Sequence, residues 1–94
     1  MKLLWTKRAL TEIDEIFAYV ATDSPIAAER LALLIEAKAL LLIDQPNIGR
    51  PGRVDGTREF VVTGTPYILP YRVRDGRVEI LAVLHASRQW PDQL

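Results

Sequence analysis

The order of apolar and turn-forming segments predicts an α+β fold: an N-terminal strand, a two-helix antiparallel hairpin, and then a three-stranded antiparallel meander, with all strands in one curved sheet. The first half holds two long runs in which apolar residues recur at helical spacing. The second half holds three β-branched and aromatic runs separated by turns rich in glycine and proline. With both helices on one face of the sheet, we expect the other face to be free and to carry the function.

The first helix is predicted by its cap and by its periodicity. Met1 to Trp5 is a short apolar strand, and Thr6 behind it can cap a helix that runs from about Lys7 to Ala21. Within that helix, apolar residues including Ile13 and Phe17 recur at steps of three and four. One face of the helix is therefore expected to lie in the core.

The second helix begins after a break at Asp23-Ser24-Pro25, where Ser24 can cap and Pro25 suits the first turn, and it ends near Asp44. The short turn predicts that the two helices are antiparallel. Apolar residues surround most of the second helix, and one stripe mixes glutamate with leucine. Its members are Glu29, Leu33, Glu36 and Leu40. Such a stripe is typical of a partly exposed docking surface, but simple packing between the first helix and the sheet is the favoured explanation.

The second half begins with a loop over Pro46 to Gly52 that cannot continue a helix. Three predicted strands follow, over Thr57 to Thr63, Tyr67 to Val73 and Arg77 to His85. Asp75-Gly76 between the last two is a strong two-residue hairpin signal. Pro70 has no N–H, so the middle strand must have a bulge or an unpaired stretch there. For the core we expect five bulky apolar residues to be buried: Ile13, Phe17, Leu34, Leu41 and Leu81.

Composition limits the classes of protein this chain can belong to. With 94 residues, 49% of them apolar, residues 1–94 make one domain with a real core. The chain has no cysteine, so a reducing compartment, the cytoplasm, is the expected location. No run approaches the roughly 18 apolar residues of a membrane span, and the opening turns charged at Lys7-Arg8. Neither secretion nor a membrane partner is indicated.

Charge is balanced overall but not along the chain. Five cations face seven anions before Gly49, and seven cations face five anions from Gly49 onward. Every cation in this second half is arginine, whose guanidinium forks grip carboxylates and phosphates bidentately. An acidic partner or a phosphate backbone would suit such a half, and ordinary surface ion pairs would explain it too.

His85 is the only histidine, and it ends the last predicted strand. As a histidine it could move protons, while Arg88 could stabilise a pentavalent phosphate or anchor an acidic segment. A structural histidine that ties the last strand to the chain end is the favoured interpretation, because a single histidine is weak evidence for catalysis. The acidic residues of the second half lack metal-ligand spacing, and no phosphate loop or dinucleotide fingerprint occurs, so we expect neither a metal nor a cofactor.

Five segments in order along nearly the whole chain resemble the RelE/ParE toxin superfamily. They are LLWTKRALTEIDEIFAYV from Leu3, the P-x-x-G-R-P run at Pro46 to Pro51, VDGTREF from Val54, YILPYRV from Tyr67 and VEILAVLHASRQWP from Val78. The resemblance implies a cognate antitoxin that wraps and blocks the toxin in a toxin–antitoxin hetero-oligomer. ParE-like members poison DNA gyrase, whereas RelE-like members cut messenger RNA in the ribosomal A site without a metal. An inactive module that only binds antitoxin is a third reading.

Individual residues favour the ParE-like branch. RelE-type nucleases carry a lysine and arginine cluster on the middle strands, with basic and tyrosine residues near the C-terminal end. Arg58 and Arg88 match such positions, but Phe60 and Ile68 stand where further cations align, and Trp90 is the nearest aromatic residue after Arg88. Each lost charged donor costs about 3 kcal/mol of transition-state stabilisation. We therefore expect gyrase poisoning, with ribosome-dependent mRNA cleavage as the alternative.

His85 supports that alternative, because some ribosome-dependent relatives use a histidine near this strand end. As a ribonuclease, the chain would use His85, Arg88, Arg58 and Tyr67 as catalytic residues. The residues expected to bind antitoxin or target are Arg58, Arg72, Arg88, Trp90, Leu33 and Leu40.

Overall fold

A short strand and two helices form the first half, at the predicted bounds. In the computed structural model, which describes residues 1–94, β1 spans Lys2–Trp5, α1 spans Lys7–Ala21 and α2 spans Pro25–Asp44. The Thr6 hydroxyl accepts a hydrogen bond from the Ala9 amide at 3.2 Å, and the Ser24 hydroxyl accepts one from the Ala27 amide at 3.1 Å. Both predicted caps are confirmed. Neither helix combines the length and hydropathy needed to cross a lipid bilayer.

Five more strands complete a six-stranded sheet. They are β2 (Arg50–Pro51), β3 (Arg58–Val61), β4 (Tyr67–Arg74), β5 (Arg77–Ile80) and β6 (Leu84–His85). The sheet order is β1-β5-β4-β3-β2, and β6 also pairs with β4. The predicted α+β class and meander are confirmed. The sheet is mixed, however, because β1 runs parallel to β5. The sequence could not predict this, since the residue pattern within a strand does not indicate the direction of a partner strand that is distant in sequence.

A bulge divides the last predicted strand into β5 and β6. Tyr71 pairs with Ile80 but Ile68 pairs with Leu84, so residues 81–83 oppose residues 69–70. The Leu81 amide donates to the Pro70 carbonyl at 2.9 Å. Because the nitrogen and the carbonyl of one strand residue point to the same side, the Pro70 nitrogen also faces the bulge, where no N–H donor is needed. The Leu81 carbonyl accepts instead from the Thr6 hydroxyl at 3.0 Å. The prediction drawn from Pro70 is confirmed.

The turn between β4 and β5 is the predicted two-residue hairpin. Asp75 and Gly76 both have positive φ angles, 53° and 70°. This is the backbone of a type I′ turn, whose twist matches that of the flanking strands.

The core lies between the helices and the inner face of the sheet, where Ile35, Leu69 and Tyr71 are fully buried. Ile13 and Leu81 are buried as expected, and Leu34 is half-buried against the core. The expectation for two residues is wrong: Phe17 is 41% exposed and Leu41 is 42% exposed. The helices instead bury small residues such as Ala9 and Ala39. The buried face of each helix therefore lies beside the predicted one, and its small side chains let the helix pack close to the sheet.

Candidate functional site

The sheet face opposite the helices is not bare. Glu79 is almost fully buried there beneath the arginines of its own and the adjacent strand. Arg72 Nε donates to its Oε1 at 2.7 Å, Arg74 Nε lies 3.2 Å from the same oxygen, and Arg77 Nη2 lies 3.6 Å from Oε2. The hydrogen bond from Arg72, with the charges of all three guanidinium groups, lowers the pKa of Glu79. The predicted binding residue Arg72 is thus engaged within the fold.

A second buried carboxylate, Glu59, repeats this arrangement on β3. Arg50 donates to Oε1 from Nε at 3.2 Å and from Nη2 at 3.1 Å. The Arg53 amide donates to Oε2 at 2.8 Å, and its Nε lies 3.8 Å from the same oxygen. Five arginines therefore cover two carboxylates on this face, which leaves it net positive.

The P-x-x-G-R-P loop is held by Tyr71 and Arg58. The Tyr71 hydroxyl donates to the Pro46 carbonyl at 2.7 Å and accepts from the Gly49 amide at 2.9 Å, and burial raises the pKa of this phenol. A Cβ on Gly49 would lie 2.6 Å from Tyr71 Cε1, which explains the glycine. Arg58 Nη1 donates to the carbonyls of Gly49 at 2.8 Å and Asn47 at 3.3 Å. The predicted site residue Arg58 therefore supports this loop, away from the cleft described next.

An open cleft of about 860 Å³ separates α1 from the C-terminal segment. It brings together four of the predicted site residues: Tyr67, His85, Arg88 and Trp90. From α1 it is lined by Arg8, Glu12, Glu15, Ile16 and Tyr19.

His85 offers the cleft one free ring nitrogen. Its ring packs edge-on against Tyr67, with 5.5 Å between centroids. Nδ1 accepts from the Ser87 amide at 3.2 Å and lies 2.8 Å from the Ser87 hydroxyl. Because a backbone N–H can only donate, Nδ1 is the unprotonated nitrogen in this arrangement, and the proton of the neutral ring is on Nε2. Acid or base chemistry would therefore have to use Nε2.

Arg88 and Trp90 differ in how firmly they are held. Arg88 is exposed, and only its backbone is engaged, through an amide hydrogen bond to the His85 carbonyl at 3.1 Å. The Arg53 guanidinium stacks on the Trp90 ring, 3.8 Å from its centroid, in a cation–π contact. The indole Nε1 is buried without a hydrogen-bond partner.

Sequence reasoning missed the α1 side of the cleft. Glu12 Oε1 accepts from the Val83 amide in the bulge at 3.0 Å, and Oε2 lies 3.6 Å from Arg8 Nε. The four-residue spacing of Arg8 and Glu12 is readable from sequence, but no local signal links Glu12 to a residue 71 positions away. Together Arg8 and Glu12 give the cleft a second cation and a carboxylate.

The remaining predicted residues lie on α2, apart from this cleft. Leu33 is 57% exposed and Leu40 is 55% exposed, as a docking stripe would be. Leu40 lines a smaller apolar groove of about 360 Å³ together with Leu3, Trp5, Leu10, Ile13 and Glu36. Their role in binding stays a prediction. Nowhere in the chain do three histidine or acidic side chains converge as metal ligands would.

Comparison with known proteins agrees with this architecture. Residues 3–90 match the family model described as ParE toxin of type II toxin-antitoxin system, parDE. The chain is 49% identical over 94 residues to "Putative toxin Y4kP" of Sinorhizobium fredii, covering 99% of this chain and 96% of that one. It is 39% identical over 87 residues to "Toxin RelE2" of Caulobacter vibrioides, covering 93% and 97%.

A solved structure, titled "Chromosomal ParDE TA system from P. aeruginosa", superposes with a TM-score of 0.84 at 28% identity, covering 93% of this chain and 97% of that one. Fold and sequence thus agree along almost the whole chain. The protein belongs to the ParE toxin family, within the RelE/ParE superfamily, and is the toxin of a type II toxin–antitoxin system whose partner is a cognate antitoxin.

Proposed function

We propose that this toxin stops growth by poisoning DNA gyrase, through a binding surface and not through bond cleavage. The observation that carries the proposal is that nearly all arginines of the second half are already engaged in contacts within the fold. Five of the seven pair with Glu59 or Glu79, Arg58 donates to loop carbonyls, and only Arg88 makes neither an ion pair nor a side-chain hydrogen bond. A guanidinium group already engaged by a carboxylate contributes little to holding a scissile phosphate.

Metal-free cleavage of RNA by its own ribose hydroxyl needs a base, an acid and cations at the pentavalent phosphate. His85 supplies one free nitrogen, since Nδ1 is occupied by Ser87. Arg88 is the one uncommitted arginine beside it. A gyrase poison needs only complementary surface, which the exposed Arg88 and the neighbouring Trp90 offer.

Ribosome-dependent mRNA cleavage is the second candidate, and the composition of the cleft favours it. Tyr67, His85 and Arg88 line one open cavity, and α1 adds Arg8 and Glu12 to it. A nucleotide in this cleft would meet an aromatic surface, a proton carrier and the unpaired Arg88, beside an Arg8 that is ion-paired with Glu12. Gyrase and ribosomes are both cytoplasmic, and we propose that the toxin acts there.

Two assays run in parallel separate these candidates. Purified toxin is added to gyrase in a supercoiling assay and to programmed ribosomes in a message-cleavage assay, each with and without antitoxin. We expect supercoiling to be inhibited, the message to stay intact, and antitoxin to restore gyrase. Cleaved message with unaffected gyrase would replace the proposal with the ribonuclease candidate. Failure in both assays, with antitoxin binding retained, would identify an inactive antitoxin-binding module.

Variants of the cleft make the same distinction in cells. Under the gyrase proposal, His85→Gln keeps its toxicity, whereas Arg88→Glu reverses charge on the binding surface and loses it. Arg30→Glu is the matched control, since Arg30 is exposed on α2 and makes no ion pair. Under the ribonuclease candidate, His85→Gln would lose about 10² to 10⁴ in rate. Loss of toxicity in a folded His85→Gln protein would therefore contradict the gyrase proposal.

A further inference from the structure

We propose that the sheet face opposite the helices binds duplex DNA, through the phosphate backbone and without reading the base sequence. The choice of DNA over double-stranded RNA rests on the proposed gyrase function, because the substrate of gyrase is duplex DNA. Binding to a backbone is measured without gyrase, so this inference and the proposed function can fail separately.

The first support is the sign of the charge that this face presents to solvent. Its two carboxylates, Glu59 and Glu79, are almost fully buried, whereas the five arginine side chains that cover them are still 34–54% exposed. Five guanidinium groups against two carboxylates leave three positive charges, and Lys2, in register with Arg77, adds a fourth. A partner that approaches this face therefore meets cations.

The second support is the part of each guanidinium group that stays free. Arg72 and Arg74 contact Glu79 through Nε, at 2.7 and 3.2 Å. Because a guanidinium group has five N–H donors, these contacts leave the donors on Nη1 and Nη2 for an external anion. The contacts also orient the side chains, so less conformational entropy is lost on binding. A scissile phosphate needs several donors directed at one point, whereas a phosphate backbone needs only spaced cations.

The third support is the width of this field of cations. Four strand spacings of about 4.8 Å separate β1 from β2 in the sheet order, so the field extends over about 19 Å. The major groove of B-form DNA is about 12 Å wide, so this field reaches both phosphate backbones across one groove. A single extended acidic segment of protein would contact only one line of these cations. The width therefore favours a duplex over an acidic peptide.

The same face lacks the aromatic side chains that bind single-stranded nucleic acid. Proteins that bind single strands stack unpaired bases on exposed aromatic rings. Here the aromatic residues of the middle strands, Phe60, Tyr67 and Tyr71, pack against the core on the other side of the sheet. The neighbouring Trp90 ring is covered by the Arg53 guanidinium, 3.8 Å from its centroid. The chemistry of the face therefore suits a paired backbone.

The charge of the rest of the molecule orients this face toward a polyanion. The two-helix hairpin, residues 7–44, carries four cations and seven anions, and it packs on the opposite side of the sheet. The formal net charge of the chain is zero, so the attraction comes from the separation of charge between its two sides. DNA is attracted by the arginine side and repelled by the helices.

Fluorescence anisotropy of a short labelled DNA duplex, titrated with the toxin at several salt concentrations, tests the proposal. Each neutralised phosphate contributes about −0.9 to the slope of log affinity against log salt, so four cations predict a slope of about −3 to −4. A duplex of shuffled sequence should bind equally well. Absence of binding at low salt, or a slope shallower than about −1, would overturn the proposal.

Single-charge variants locate the site. Arg74→Gln removes one cation while Arg72 and Arg77 still pair with Glu79, and Lys2→Gln removes another without touching either buried carboxylate. Each should make the slope shallower by about 1 and weaken binding about tenfold near 0.1 M salt. Arg30→Gln, on the exposed side of α2, is the matched control and should stay within about twofold of the parent. Equal losses in all three variants, with unchanged thermal melts, would overturn the proposal.

Unlabelled competitors separate DNA from other polyanions. We expect the DNA duplex to displace the label at lower concentration than its own single strand, an RNA duplex or a poly-glutamate peptide. A more effective RNA duplex or single strand would overturn the proposal and assign the face to RNA or to unpaired strands, and a more effective peptide would assign it to an acidic protein. Gyrase inhibition by a toxin that does not bind DNA would refute this inference alone, and DNA binding without gyrase inhibition would refute the proposed function alone.

Discussion

Removing the Tyr71 hydroxyl should destabilise the toxin without opening a cavity larger than one oxygen atom. Tyr71 is fully buried, and in Tyr71→Phe the Gly49 amide loses its acceptor and the Pro46 carbonyl loses its donor. A buried polar group left unpaired costs about 1–3 kcal/mol, so we expect a loss of about 2 kcal/mol in the free energy of unfolding. For a domain of this size that lowers the melting temperature by roughly 8–16 °C.

Urea and thermal unfolding followed by circular dichroism measure this loss, and Tyr67→Phe is the matched control. Tyr67 lies on the same strand, but its hydroxyl makes no hydrogen bond within the chain, so this variant should stay within about 0.5 kcal/mol of the parent. Burial raises the pKa of Tyr71, so its neutral form stabilises the fold below about pH 10, and this contribution is lost as the pH rises further. Equal stability of the parent and Tyr71→Phe would refute this account of the P-x-x-G-R-P loop.

Three further outcomes follow from the structure. Ile35→Ala should lower the free energy of unfolding by about 2–5 kcal/mol, whereas the half-exposed Phe17→Ala should cost about 1, as chemical denaturation would show. The Arg72 hydrogen bond lowers the pKa of Glu79, so the ionised carboxylate stabilises the fold above about pH 4.3 and this contribution is lost as the pH falls further. Urea midpoints measured from pH 6 to pH 2 should therefore decrease less with falling pH in Glu79→Gln than in the parent. Antitoxin affinity measured by calorimetry should fall with added salt yet persist at high salt, because charge steers binding and apolar burial holds the complex.

Local chemistry made much of the fold predictable. Thr6, Ser24 and Pro25 set the helix starts through contacts within four residues, and Asp75-Gly76 set the hairpin through its own backbone angles. Signals of this range need no knowledge of the tertiary structure, which is why the helix bounds matched.

Tertiary packing decided what the sequence left open. In α2, apolar residues on nearly every side made Leu41 and Leu42 equivalent candidates for the core, and only the approach of the sheet selected Leu42. The sequence predicted a sheet face without helices, but it did not predict that Glu59 and Glu79 are buried there under arginines, because strand pairing brings these side chains together. For the cleft, only residues of the sheet and the C-terminal segment were predicted. The α1 residue Glu12 was missed, because its contact with Val83 joins residues that are distant in sequence.

The bulge opposite Pro70 also decides which part of the molecule is able to move. The Thr6 hydroxyl at the start of α1 donates to the Leu81 carbonyl, and Glu12, nearly two turns further along the helix, accepts from the Val83 amide. Movement of α1 away from the sheet would leave the Leu81 carbonyl and the Val83 amide without these hydrogen-bond partners. The helix and the bulge therefore form one rigid side of the cleft. By contrast, residues 89–94 make no backbone hydrogen bond and are fastened through the stack of Arg53 on Trp90. Any widening of the cleft for a large target must therefore come from movement of residues 89–94, which requires the stacking contact between Arg53 and Trp90 to open.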